Sequence, residues 1–258
     1  MKYTTGQETH WCTDMTDEYS VVTSDGVTIK YNAIKNSKKT ALFILPGWFM
    51  TKDSKAFSDI ASDFSQFYDV YTVDFRGHGR SSGAYTFSAD EVKDIRAVIE
   101  QVKSEGKYEK YFIMGFSLGG AIAINYTAEY KDVDSVIAVS APESFDTIEN
   151  HVWKKEAYIP TFQKFELKRW CSIRPKLPFK KMVKSIDVIE NISPIPVYLI
   201  AGENDKTVYP HHAHSLFEKA KDPKKITVFE NKIHAEDIYI SSPQTFVNSC
   251  YNWYEYQN

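Results

Sequence analysis

A serine set between glycines is the first group in this chain with the means to do chemistry. Residues Gly115-Phe116-Ser117-Leu118-Gly119 read G-x-S-x-G, after an apolar stretch and before a run of small helix-forming residues. A serine on a sharp strand-to-helix turn projects its hydroxyl above a sheet, and glycines on either side tolerate the close backbone contacts that such a turn demands. The helix start behind it offers partial positive charge to a developing oxyanion. The five-residue pattern alone fits a glycine-rich helix cap equally well, with Ser117 merely satisfying backbone amides. A hydroxyl becomes a useful nucleophile only beside a base, and the base needs a carboxylate to orient it. Asp205 follows the apolar run VYLIAG, and His234 follows KKITVFEN. Both therefore sit where predicted strands end, the edge at which open α/β sheets gather their ligands.

The elements that must position these groups alternate regularly. EYSVV and VTIKYNAI around Ser24-Asp25-Gly26 read as a hairpin, because Asp-Gly accepts positive φ. The continuous apolar run of residues 40–48 fits a parallel strand covered on both faces. Phe57, Ile60, Ala61 and Phe64 have helical spacing within 54–66. After the strand YDVYTVDF, a helix is predicted from Ser88, where Ser88-Ala89-Asp90-Glu91 has capping-box form and Val92, Ile95, Ile99 and Val102 supply the buried stripe. YEKYFIMGF, SVIAVSAP, VYLIAGEND and KKITVFEN are predicted strands. SLGGAIAINYTAEY, HAHSLFEKA and residues 243–256 are predicted helices. Such alternation implies an α/β fold with a mostly parallel central sheet and helices on both faces. Residues 143–190 are too long for one crossover helix and read as a lid inserted into a single domain spanning 1–258.

With the motifs in this order, the chain resembles the α/β-hydrolase superfamily over roughly residues 18–256, and within it small bacterial serine esterases and acyl hydrolases with a short lid. Four stretches carry the resemblance: LPGW, DFRGHGRSSG at 74–83, GFSLGG at 115–120, and GENDKTV with IHAE near the end. It implies Ser117 as nucleophile, His234 as general base and then acid, and Asp205 as the orienting carboxylate, in that family's Ser–Asp–His order. It also implies an oxyanion hole built from the backbone N–H of Leu118 and that of Trp48. The superfamily usually has His-Gly where this chain has Pro46-Gly47, which leaves Phe49 open as the alternative second donor. Glu203 is a rival acid, set aside because the family pattern puts the acid just past the strand end. Asp74 fits the structural DxRGxG turn.

Other polar residues have plainer readings. Glu236 and Asp237 read as solvated loop charges, and His78 as a packing residue of its turn. His211, His212 and His214 read as a solvated helix start, since no acid or cysteine completes a metal-ligand spacing. His10 with Cys12 is a weaker ligand pair still. Asn125-Tyr126-Thr127 matches a glycosylation pattern but falls within a predicted helix. Between residues 150 and 185 lie ten basic and two acidic residues interleaved with aromatics. This is either a solvated flap packed on the core or an amphipathic cover that favours an anionic ester or a lipid surface.

Composition narrows the choice of function. The 258 residues carry 31 Lys and Arg against 34 Asp and Glu, a balance that argues against a nucleic-acid partner. No run of about 18 apolar residues exists, so no transmembrane segment is expected. The opening residues lack a signal-peptide core. Three cysteines (Cys12, Cys171, Cys250) without a CxxC fit neither a disulfide framework nor a zinc module, and a cytoplasmic location is expected. The expected activity is cleavage of a small-molecule carboxylic ester through an acyl-enzyme, with no metal or organic cofactor required. Thioesterase, lipase, peptidase and C–C hydrolase activities use the same constellation, and a catalytically silent receptor on this fold is the alternative outside enzymology.

Overall fold

β-Branched and aromatic residues fill the strands, and their alternation sets the layers. In the computed structural model, which describes residues 17–148, 173–175 and 182–255, eight strands form one sheet in the order β1-β2-β4-β3-β5-β6-β7-β8. The strands β1 (Asp17–Val22) and β2 (Thr28–Ile34) make the antiparallel hairpin, with Gly26 at φ +82° in its turn. From β4 (Asp69–Val73) and β3 (Thr40–Leu45) through β5 (Lys110–Phe116), β6 (Ser135–Val139), β7 (Val197–Gly202) and β8 (Lys224–Phe229) the pairing is parallel. Along β3, Ala41, Phe43 and Leu45 enter the core on one face, while Leu42 and Ile44 enter the core on the other.

Helices cover both faces. The helices α1 (Lys55–Phe64), α2 (Glu91–Ser104), α3 (Leu118–Tyr130), α4 (Ser185–Val188), α5 (Pro210–Lys219), α6 (Glu236–Ser241) and α7 (Pro243–Glu255) follow in chain order. Buried residues of α2, α3 and α5 join one core, and those of α1, α6 and α7 join the other. Every residue of α3 from Leu118 to Thr127 is buried. That burial explains why its sequence is largely small or apolar rather than amphipathic.

One expected helix boundary needs correction. The helix predicted from Ser88 begins at Glu91. Phe87 and Ser88 have φ of +51° and +70°, outside the right-handed helical region. The reciprocal bonds belong to Thr86 instead: its hydroxyl accepts the Asp90 amide at 2.9 Å, and its own amide donates to the Glu91 carboxylate. The short helix α6 was not anticipated. Most of the expected 143–190 insertion lies outside the described residues, as do His10, Cys12 and Cys171. Its described fragment 173–175 touches the loop after β4, where the Tyr85 amide donates to the Arg174 carbonyl at 2.8 Å.

Candidate active site

Ser117 stands between β5 and α3 at φ +51° and ψ −115°. A residue with a Cβ in this region is strained by about 1–3 kcal/mol and persists only where its surroundings over-determine it. The glycines do so. A Cβ on Gly115 would lie 2.1 Å from the Gly119 carbonyl oxygen, and one on Gly119 would lie 2.2 Å from that of Leu45. Backbone packs directly on backbone, and no side chain fits between.

The imidazole of His234 bridges the other two groups. Its Nε2 is 2.9 Å from Ser117 Oγ, and its Nδ1 is 2.7 Å from Asp205 Oδ2. The three side chains read from separate strand ends are thus in hydrogen-bonding contact. Asp205 is buried, while the His234 side chain keeps 19% exposure. Burial alone would raise the Asp205 carboxyl. The His234 ring and the amides of Val208 and Thr207 outweigh it, holding the carboxyl below its ordinary value. An ionised Asp205 favours the tautomer with hydrogen on Nδ1, which leaves the Nε2 lone pair facing the serine.

The rival carboxylates are engaged elsewhere. Glu203 accepts the Asn231 amide at 2.9 Å. Asp74 accepts the amides of Lys52 at 2.7 Å and Arg80 at 3.2 Å, tying two loops together. Glu236 and Asp237 open α6, and Glu236 is buried rather than solvated. His78 is buried against the Tyr85 ring with its Nδ1 3.2 Å from the Arg76 carbonyl, a packing position as expected. The solvated reading of the histidine cluster fails for His212. It lies on the buried stripe of α5 with Ala213 and Leu216, its Nδ1 3.9 Å from Glu143. Among the described residues, no group of three or more His, Cys, Asp or Glu side chains could hold a metal. Asn125 lies buried within α3.

Backbone donors border the serine. Leu118 is the first residue of α3, so its N–H has no intrahelical acceptor. Gly47 packs against the serine, since a Cβ there would meet Ser117 Cβ at 3.4 Å. The Gly47 carbonyl accepts the Met50 amide at 3.1 Å, and Phe49 sits at φ +63° within that turn. The Trp48 N–H, trans to the Gly47 carbonyl across one planar peptide, therefore points out of the turn. The Trp48 ring lies 4.2 Å from Phe49 and 5.1 Å from Phe87, centroid to centroid. Sequence reasoning missed Ser140, whose hydroxyl accepts the Ala235 amide at 3.0 Å. A serine closing an apolar strand carries no spacing that would have marked it.

Comparison with known proteins places this geometry in context. Residues 36–193 match the family model described as serine aminopeptidase, S33. The chain is 24% identical over 196 residues to YfhR, an uncharacterised protein of Escherichia coli, covering 72% of this chain and 62% of that protein. It is 27% identical over 129 residues to lysophospholipase L2 of Escherichia coli, covering 46% of this chain and 35% of the relative. The chain thus spans less than two thirds of the length of these curated relatives. In structure it is similar to an esterase of Pyrococcus furiosus, with a TM-score of 0.76 and 22% identity over 93% of this chain and 91% of that one.

Proposed function

We propose, because the chain belongs to the serine aminopeptidase S33 family of α/β-hydrolases, that it cleaves carboxylic esters with Ser117 as nucleophile, His234 as base and acid, and Asp205 as orienting carboxylate. One observation carries the reading: the His234 ring spans Ser117 Oγ and Asp205 Oδ2 with both contacts under 3 Å. Ser117 Oγ attacks the ester carbonyl as its proton passes to His234 Nε2. The tetrahedral oxyanion accepts hydrogen bonds from the N–H groups of Leu118 and Trp48. Collapse expels the alcohol, which takes the proton back from Nε2. Water, deprotonated by the same nitrogen, then hydrolyses the acyl-enzyme and restores the serine.

Similarity to a lysophospholipase and to the Pyrococcus esterase favours an ester over the peptide bond of a serine aminopeptidase. We read residues 143–190 as a cover over the serine, whose basic and aromatic composition suits an anionic or lipid-like ester. No helix among the described residues is long and apolar enough to cross a membrane.

The test is fluorophosphonate labelling together with a panel of p-nitrophenyl esters from acetate to palmitate and an aminoacyl anilide. Adduct formation on Ser117 with ester turnover is expected. Ser117→Ala and His234→Ala should each lower kcat by roughly 10⁶, with little further loss in the double variant. Turnover of the anilide alone would move the assignment to a peptidase, and neither labelling nor turnover would leave a binding protein.

A further inference from the structure

We propose that Ser140 is a positioning residue for the reaction, holding the His234 ring between Asp205 and Ser117 through the backbone of Ala235. The inference rests on the roles proposed above for those three side chains.

The observation is a shared backbone geometry. Ala235, next in the chain to His234, adopts φ +51° and ψ −114°, while Ser117 adopts φ +51° and ψ −115°. The conformation at Ser117 is enforced by glycines crowded on either side. Ala235 has no glycine neighbour in sequence to enforce its own, and an alanine does not hold such a conformation unaided. Its amide is instead donated to Ser140 Oγ at 3.0 Å. Ala235 and Ser140 are both buried, at 0% and 1% exposure, so this bond is sheltered from water.

Ser140 is itself fixed by both flanking strands. The peptide joining Val139 to Ser140 accepts the Ser117 amide on its carbonyl at 2.8 Å and donates its N–H to the Ile200 carbonyl at 2.7 Å. Ile200 lies in β7, the strand that leads to Asp205. Ser140 and the peptide that leads into it therefore link the turn of the nucleophile, the strand of the acid and the loop of the base. Other bonds hold that loop on the approach to the histidine. The Asn204 amide reaches the Lys232 carbonyl at 2.8 Å, Glu203 reaches the Asn231 amide, and Lys232 Nζ reaches Ser242 Oγ at 2.8 Å. Beyond His234, the Asp237 and Ile238 amides turn back onto the carbonyls of His234 and Ala235. Loss of the Ser140 acceptor frees the Ala235 peptide to relax, and the imidazole swings with it.

Ser140 lies at φ +48°, where glycine is at ease, so Ser140→Gly removes the hydroxyl without adding backbone strain. The expected result is a roughly 10- to 100-fold fall in kcat with KM within about twofold of the parent, as for a misplaced catalytic group. Ser140→Cys keeps a weaker acceptor and should fall between the two. If Ser140→Gly does not fold, this cysteine variant carries the comparison. In an Ala235→Gly background the conformation no longer needs holding, and the loss from Ser140→Gly should shrink to a few-fold.

A second readout needs no substrate. The low-field proton NMR signal of the His234 Nδ1–H bound to Asp205 should be sharp in the parent and broadened in Ser140→Gly. An unchanged signal with kcat within about twofold of the parent overturns the inference. So does an equal loss whether residue 235 is alanine or glycine, because Ser140 then acts by another route. If the parent cleaves no ester but the signal still broadens, the proposed activity falls and the positioning role stands.

Discussion

At the scale of the residue, each side chain proposed to take part in the reaction is tied to a local constraint. Ser117 needs Gly115 and Gly119, whose absent side chains leave room for the carbonyls of Gly119 and Leu45. Asp205 and His234 each follow a recognisable apolar strand. The groups proposed to support them leave no such trace. Ser140 would work through a single hydroxyl, and Leu118 and Trp48, as oxyanion donors, through amides that any residue possesses. Asp205 and Glu203 differ in direction: one carboxylate meets His234 Nδ1, the other the Asn231 amide. Asp205→Asn should therefore lower kcat about 10⁴-fold by disturbing the imidazole tautomer. Glu203→Gln should cost less than roughly tenfold, because an amide oxygen still accepts the Asn231 N–H. Steady-state kinetics on one ester settles the comparison, and equal losses would reverse the assignment.

At the scale of the element, periodicity located the strands and long helices, but local chemistry set their ends. The α1 stripe of Phe57, Ile60, Ala61 and Phe64 is buried as its spacing predicts. The start of α2 was misread because Ser88 and Glu91 have the right separation, whereas Thr86 makes the bonds. Nothing in spacing alone reports that Phe87 and Ser88 turn to positive φ. Helix α6 escaped notice since six residues cover less than two turns and give periodicity too little length. Thr86→Ala should destabilise the fold by about 1–2 kcal/mol in urea unfolding, as loss of a helix-start acceptor does. Ser88→Ala should cost less than about 0.5 kcal/mol, its hydroxyl making only a long 3.5 Å bond to the Val183 carbonyl. The reverse ranking would restore the sequence-based helix start.

At the scale of the whole molecule, burial couples loops to the acidity of the solution. Desolvation pushes the His78 imidazole down to about 4, so the ring is neutral in the folded protein where an unfolded chain would protonate it. The unfolded state then binds more protons between pH 6.5 and about 4, and the stability due to His78 is lost as pH falls through that window. Between pH 7 and pH 5 the loss is about 2 kcal/mol. His78→Phe, which cannot titrate, should lose correspondingly less over the same interval in urea titrations. A variant as acid-sensitive as the parent would assign the effect to other groups.

The sheet has one further consequence. Strands β6 and β7 lie side by side, Val136 against Val197 through Val139 against Ile200, although the chain departs after the first and returns only before the second. Both shores of that detour are already moored to each other. Splicing a different stretch between them leaves the wiring from Ser117 through His234 to Asp205 anchored in strands that never part. Descendants of such a scaffold can exchange that stretch while inheriting the three linked side chains unchanged.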